Sequence, residues 1–199
     1  ERCRARKAVY LPTRQLNSNA LTDESIRFTL DQEEAGCLVL PAQPIPFMAR
    51  VGITQSARKR LMLAAGTPVI LAKGTIPYKR ILMAVSDEDT ANSVTSVAVD
   101  IARQCESSLT SLHILPPSLV DGGTEEEDRK ALPTKIAKIA RNHGLEIDRI
   151  EDEGNPIEVI RRHAADFDLL IMSLSPQRRN SIFKPDISMY LMHEAPCSV

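Results

Sequence analysis

Two serines, Ser173 and Ser175, stand within twenty residues of Asp186 and His193. These are the residue types of a nucleophile, its base and the carboxylate that orients the base. Neither serine sits in a Gly-x-Ser-x-Gly elbow, the sharp turn that presents such a nucleophile. The pattern therefore reads as a polar loop and not as a hydrolase. Arg178-Arg179 lies in the same stretch. Guanidinium forks suit phosphate oxygens, although a solvated loop is the weightier reading. His113, between Leu112 and Ile114, reads as a sheet histidine with its hydrogen bonds satisfied. His143 closes a helix and favours its negative end. His163 follows Arg161-Arg162 on a face expected to be solvated, with Phe167 four residues on, so it has no second metal ligand. Cys3, Cys37, Cys105 and Cys197 form no Cys-x-x-Cys pair, the spacing by which one turn presents two thiolates to zinc. Cys37 and Cys197 lie in or beside apolar runs and are expected to act as small hydrophobes. The cysteine usage fits a reducing cytoplasm.

The elements that must position these residues come from a chain of 199 residues, 43% hydrophobic, 26% charged and 4% aromatic. That is an ordinary globular composition, long enough for one large domain or two small ones. The longest nearly apolar run, Leu61–Ala72, is broken by Gly66 and Pro68 and is too short to span a bilayer. No apolar stretch follows the basic segment Glu1–Lys7, so no signal peptide is expected. The net charge is −1. It is uneven, with 11 basic and 6 acidic residues in 1–78 against 14 and 20 in 79–199. A basic half could attract nucleic acid or an anionic surface. No aromatics interleave with the basic residues, which argues against a base-stacking nucleic-acid binder. Arg2, Arg4, Arg6 and Lys7 form one basic cluster and Arg58-Lys59-Arg60 another. Both read as solvated faces, though a juxtamembrane tail would look alike.

From Lys79 onward, strand and helix signals alternate. Arg80–Val85 is an apolar run of the buried-strand type. A polar turn, Ser86–Asp89, leads to a helix with Val94, Val97, Ala98, Ile101 and Ala102 at helical spacing. Leu109–Leu115 reads as a second strand. An acidic loop, Asp121–Asp128, opens a helix carrying Leu132, Ile136, Ile139 and Ala140, which His143-Gly144 ends. Leu145–Ile150 follows as a short strand. Asn155-Pro156 then starts a helix with Ile157, Ile160 and Ala164 on one face, followed by a strand at Asp168–Met172 and a last helix at Ser188–Glu194. Continuous, not alternating, apolar strands argue for an open parallel sheet covered by helices on both faces, an α/β fold. Such sheets bind ligands at the carboxyl ends of their strands.

The first 77 residues repeat part of this unit. Leu61–Val69 matches Leu191–Val199 at an offset of 130, and Cys37–Leu40 matches Asp168–Ile171 at 131. A period of a whole domain means duplication. The expected elements are strand Ala8–Leu11, helix Asp23–Glu34, strand Cys37–Leu40, helix Thr54–Ala65 and strand Pro68–Ala72. The domains expected are thus 1–77, the latter part of a first copy, and 78–199, a second copy whose last strand is clipped. The opening Glu1, the incomplete first copy and the stop of the second at Val199 point to a sequence clipped at both ends or spliced over missing pieces.

The second unit resembles the universal stress protein family. The matching residues are Tyr78–Val85, Ser111-Leu-His-Ile114, Gly154-Asn-Pro-Ile-Glu-Val-Ile160, Ala165–Met172 and His193-Glu-Ala-Pro-Cys197. Gly154–Ile160 corresponds to the family's G-x-P-x-x-x-I start of its third helix, and His193–Cys197 to the approach to its last strand. The first unit resembles the last three-fifths of such a domain. The resemblance implies a Rossmann-like fold of the adenine nucleotide alpha-hydrolase kind, in two tandem copies that associate as the family's homodimer does. ATP-binding members carry G-x-x-G, nine residues, then G-S/T after the fourth strand, where backbone N–H groups close around phosphates. Here the first position reads Ser173-Leu-Ser-Pro176 and the second Pro185-Asp186. Pro176 and Pro185 each lack an N–H donor, and Asp186 adds a negative charge. The acidic residue that meets adenosine in such members falls at Ser86, with Asp87 one place late. In the first unit the loop is Pro41-Ala-Gln-Pro44 and later Gln55-Ser56, where Ser56 alone keeps the pattern. The pocket positions implied are Ser86, Asp87, Ile114, Ser173, Ser175, Arg178 and Arg179.

Together these readings imply a cytoplasmic, non-catalytic stress-response or regulatory protein without a conventional ATP site and without a required cofactor. ATP or AMP is the alternative ligand. A second alternative is a regulatory module of a membrane transporter, although this chain contains no transmembrane segment. Self-association through tandem or homodimer pairing is expected, with a protein partner as output and no nucleic acid.

Overall fold

The structure, a computed structural model, describes residues 23–32, 36–42, 62–63, 65–73, 78–85, 88–115, 126–174 and 187–199. The expected strand Ala8–Leu11 lies outside them. The chain divides into two compact units, Glu1–Leu38 with Gln55–Val69, and Val39–Thr54 with Ile70–Val199.

The first unit contains α1 (Asp23–Gln32), which buries Leu30 and exposes Phe28. Of the expected helix Thr54–Ala65, Met62, Leu63 and Ala65 are described and helical, with Met62 and Ala65 buried. Leu38 N–H donates to Pro68 O at 2.9 Å. That bond begins a two-stranded sheet of β1 (Leu38–Pro41) and β2 (Val69–Ala72), whose residues from Val39 and from Ile70 onward belong to the second unit.

The second unit is built on four parallel strands in the order β5-β4-β3-β6. They are β3 (Arg80–Ala84), β4 (Ser108–Leu115), β5 (Asp148–Glu153) and β6 (Leu169–Met172). The register sets Ala84 beside Leu112 on one side and beside Met172 on the other. A parallel bridge from Leu169 to Ser198 extends the sheet past β6. Helix α2 (Glu88–Cys105) crosses from β3 to β4, α3 (Glu126–Asn142) from β4 to β5, and α4 (Pro156–Ala164) from β5 to β6. Helix α5 (Ile187–Glu194) leads to the chain end.

Alternation of side chains along β3 and β4 divides the core. Ile81, Met83 and Leu109 pack with Ala91, Ala98 and Val99 of α2 and with Ile136 and Ala140 of α3. Leu82, Leu112 and Leu170 point the other way, onto Val159, Ile160 and Ala164 of α4 and Leu191 of α5. Both faces of the central strands are therefore buried, which is why their sequences run apolar without alternation. The outer strand β5 is charged and alternates between exposed and half-buried residues. Its position corrects the expected strand Leu145–Ile150. Leu145 and Ile147 pack against the core just before pairing begins, so the apolar signal precedes the strand.

Local chemistry sets the ends of the elements. Asn155 caps α4, its side chain accepting from Ile157 N–H at 2.9 Å, with Pro156 at the first turn. Gly154 before it has φ +134°, open to glycine alone without strain. Asp168 Oδ2 accepts the backbone N–H groups of Lys79 at 2.9 Å and Arg80 at 2.8 Å. That carboxylate fastens the start of β3 to the start of β6. At the far edge, Leu71 N–H donates to Val199 O at 2.7 Å and Val199 N–H to Leu71 O at 3.2 Å. This mutual exchange is the mark of an antiparallel pair.

Candidate functional site

In the second unit, β3 feeds a helix on one face of the sheet while β6 feeds α5 on the other. The carboxyl ends of these neighbours mark the point where the connections diverge, the usual place for a ligand crevice in an open parallel sheet. Two of the expected pocket residues are described there. Ile114 stands near the end of β4, paired with Asp152 of β5, half-buried and packed on the α4 side. Ser173 follows β6 directly, half-buried, and its carbonyl accepts from Ser188 Oγ–H at 3.0 Å. The strand order brings both to the same end of the sheet. Ser86, Asp87, Ser175, Arg178 and Arg179 lie outside the described residues, as do Pro176, Pro185 and Asp186.

Of the Ser–His–Asp combination, Ser173 and His193 stand apart. Ser173 is bound to the first turn of α5, whereas His193 lies five residues beyond Ser188 in the last turn. At 1.5 Å rise per residue this is about 7.5 Å of helix.

His113 is the satisfied sheet histidine expected from its neighbours. Its Nε2 lies 3.1 Å from Ser111 Oγ, and Ser111 Oγ donates onward to Asp148 O at 3.3 Å. Burial, and secondarily the charge of Arg149, pushes its pKa down to about 4, so it is neutral at physiological pH. His143 also behaves as expected, in the turn that closes α3, followed by Gly144 at φ +73°.

His163 corrects the expectation of a solvated face. It is half-buried, with Nε2 2.6 Å from Asp152 Oδ2, and Arg162 pairs with the same oxygen. Glu153 N–H donates to Asp152 Oδ1 at 2.8 Å. The hydrogen bonds from His163, then Arg162, hold the Asp152 carboxyl down at about 2. Sequence spacing carried no sign of this cluster, because Asp152 is one of several acids on an edge strand and its partners lie ten and eleven residues on, across a turn. Among the described residues, no group of three or more His, Cys, Asp and Glu is placed to hold a metal ion.

Cys197 is buried, as expected of a small hydrophobe, and burial raises its thiol pKa. Cys37 corrects the same expectation, being exposed at the start of β1. Cys37, Cys105 and Cys197 form no disulfides. Among the described residues, no helix is long and apolar enough to cross a membrane.

A parallel sheet whose crossovers diverge to opposite faces at β3 and β6 defines a parallel α/β protein of the doubly wound class. The model of the universal stress protein family matches residues 77–199, and the chain belongs to that family. Three solved structures have similar folds. A universal stress protein from Archaeoglobus fulgidus DSM 4304 is 14% identical with a TM-score of 0.62, over 87% of this chain and 63% of that one. A putative universal stress protein from Pseudomonas aeruginosa UCBPP-PA14 is 18% identical with a TM-score of 0.57, over 84% and 62%. A universal stress protein in complex with cAMP is 13% identical with a TM-score of 0.51, over 61% and 94%. The chain thus spans less than two thirds of the first two. Comparison with curated proteins returned no match.

Proposed function

We propose that this chain is a cytoplasmic stress-response or regulatory module that acts without catalysis, through association and partner binding, and that its crevice does not hold ATP in the glycine-loop manner. The observation that carries this reading is the strand end itself. Where phosphates would meet successive backbone N–H groups, the chain continues from β6 as Ser173-Leu-Ser-Pro176, with Pro185-Asp186 further on. Each missing donor costs about 1 kcal/mol or more, and a carboxylate beside a triphosphate adds repulsion, so affinity falls by orders of magnitude.

The reading includes two tandem copies, the first incomplete, with domains at 1–77 and 78–199. Leu38 N–H donates to Pro68 O, and Leu170 N–H donates to Ser198 O. The acceptors correspond at the offset of 130, while the donors lie 132 apart, one residue out of the 131 of the strand match, so the bonds support a repeated strand pairing and not a residue-for-residue copy. The antiparallel pair of Leu71 with Val199 supports association of the copies through those last strands. The thiol state of Cys105 and Cys197 suits a reducing compartment such as the cytoplasm.

A second reading, a nucleotide-sensing switch, draws on the similar universal stress protein whose structure contains cAMP. Calorimetric titration of the protein with ATP, ADP and AMP, with and without magnesium, decides between them. The first reading expects no heat up to millimolar nucleotide. Micromolar ATP binding overturns it and establishes the switch.

A further inference from the structure

We propose that α5 is a strut that couples the crevice end of β6 to the Leu71–Val199 strand joint, with Ser188 and Lys73 as its two fastenings. At the amino end of the helix, Ser188 Oγ–H holds the Ser173 carbonyl at 3.0 Å. At the carboxyl end, a helix leaves carbonyls without intrahelical partners. Here an ammonium from elsewhere in the chain takes one of them and the carbonyl just past the helix end. Lys73 Nζ donates to His193 O at 2.9 Å and to Ala195 O at 2.5 Å, and Lys73 N–H donates to Ser198 Oγ at 3.0 Å. A cation at that end also suits the helix dipole.

Lys73 follows directly on β2, two residues after Leu71, which exchanges both backbone hydrogen bonds with Val199. Leu191 and Ala195 are buried against Leu170 and Val159, so the eight-residue helix shifts as a body instead of bending. Partial burial holds the Lys73 pKa below its ordinary value, the mark of an amine drawn out of bulk water, and the carbonyls it meets offset that cost. Displacement of the Ser173 carbonyl therefore reaches the strand joint through one rigid element and two named contacts, and displacement of the joint reaches the crevice the same way. The coupling is a property of the chain itself and holds whichever ligand the crevice takes.

Backbone hydrogen exchange on the full chain tests it without any ligand. Ser188→Ala is expected to speed exchange at the Leu71 and Val199 amides about three- to tenfold, the effect of one side-chain hydrogen bond, although Ser188 bonds to neither. Lys73→Met is expected to speed exchange across Met172–Leu174 in return. The double variant should fall short of the product of the two effects. Ser188→Thr and Lys73→Arg, which keep the hydroxyl and the charge, should restore protection. The Leu109–Leu112 amides of β4 serve as the internal reference. Acceleration confined to each variant's own end, a multiplicative double variant, or equal acceleration in β4 overturns the proposal.

Discussion

Replacing Asp168 by asparagine keeps the side chain's size and removes its charge, at the one carboxylate that joins the starts of β3 and β6. Oδ2 accepts from Lys79 N–H at 2.9 Å and Arg80 N–H at 2.8 Å, while Asp168 N–H donates to Arg80 O at 2.9 Å. A hydrogen bond to a charged group contributes about 1.5–3 kcal/mol, against about 0.5–1.5 for a neutral pair. Loss of charge on two bonds thus removes about 2 kcal/mol, and half-exposure of the carboxylate reduces this to about 1 kcal/mol. Asp168→Ala removes the acceptor as well and should cost about 2 kcal/mol. The two N–H groups, Arg80 first and then Lys79, hold the Asp168 carboxyl below its ordinary 3.8. A carboxyl depressed in the folded state stabilises it fully above the unfolded value. That contribution is lost as pH falls below about 4 and through the folded value. Urea denaturation followed by circular dichroism at pH 7 and at pH 3 checks both points. The advantage of the wild type over Asp168→Asn should be smaller at the lower pH. Equal stability of the two at pH 7, or a difference unchanged between the two pH values, refutes the reasoning.

Glu106 adopts φ +52° where α2 ends, with Ser107 N–H closing on Ala102 O at 2.8 Å. Glu106→Gly removes that strain and should raise stability by about 0.5–1 kcal/mol in the same assay. Gly154→Ala should lower it by about 1–3 kcal/mol through backbone strain at φ +134°, since the added Cβ meets Val159 Cγ2 at an ordinary 3.5 Å. His113 should titrate near pH 4 in a proton NMR series, with its resonances unmoved between pH 8 and pH 6. Because its folded value lies below the unfolded 6.5, it makes stability fall as pH drops from about 6.5 to about 4.

Much of the second unit was legible because its strands are buried on both sides. Arg80–Val85 and Leu109–Leu115 announced β3 and β4 within a residue, and Asn155-Pro156 marked the start of α4 by cap chemistry. The apolar signal runs three residues ahead of β5 because an edge strand needs no apolar run, and the nearby hydrophobes serve the core from outside it. The cluster of Asp152, Arg162 and His163 and the reach of Lys73 to α5 were not legible. Each depends on which elements the sheet order brings together, and side-chain type carries no such information. At the crevice, the residues and their chemistry could be read from the chain, while the strand order placed Ile114 and Ser173 at one end.

The outer strand β5, Asp-Arg-Ile-Glu-Asp-Glu, carries four carboxylates and one guanidinium along a rim to which, among the described residues, no further strand is paired. Two copies meeting edge to edge in antiparallel register would set Asp148 opposite Glu153 twice and leave Ile150 facing Glu151, offset only by Arg149 opposite Asp152, both of which already have partners within the chain. Such like-charge pairs repel, and the strand resists recruitment into cross-strand aggregates. The protein thereby presents on that side a rim that refuses new strands.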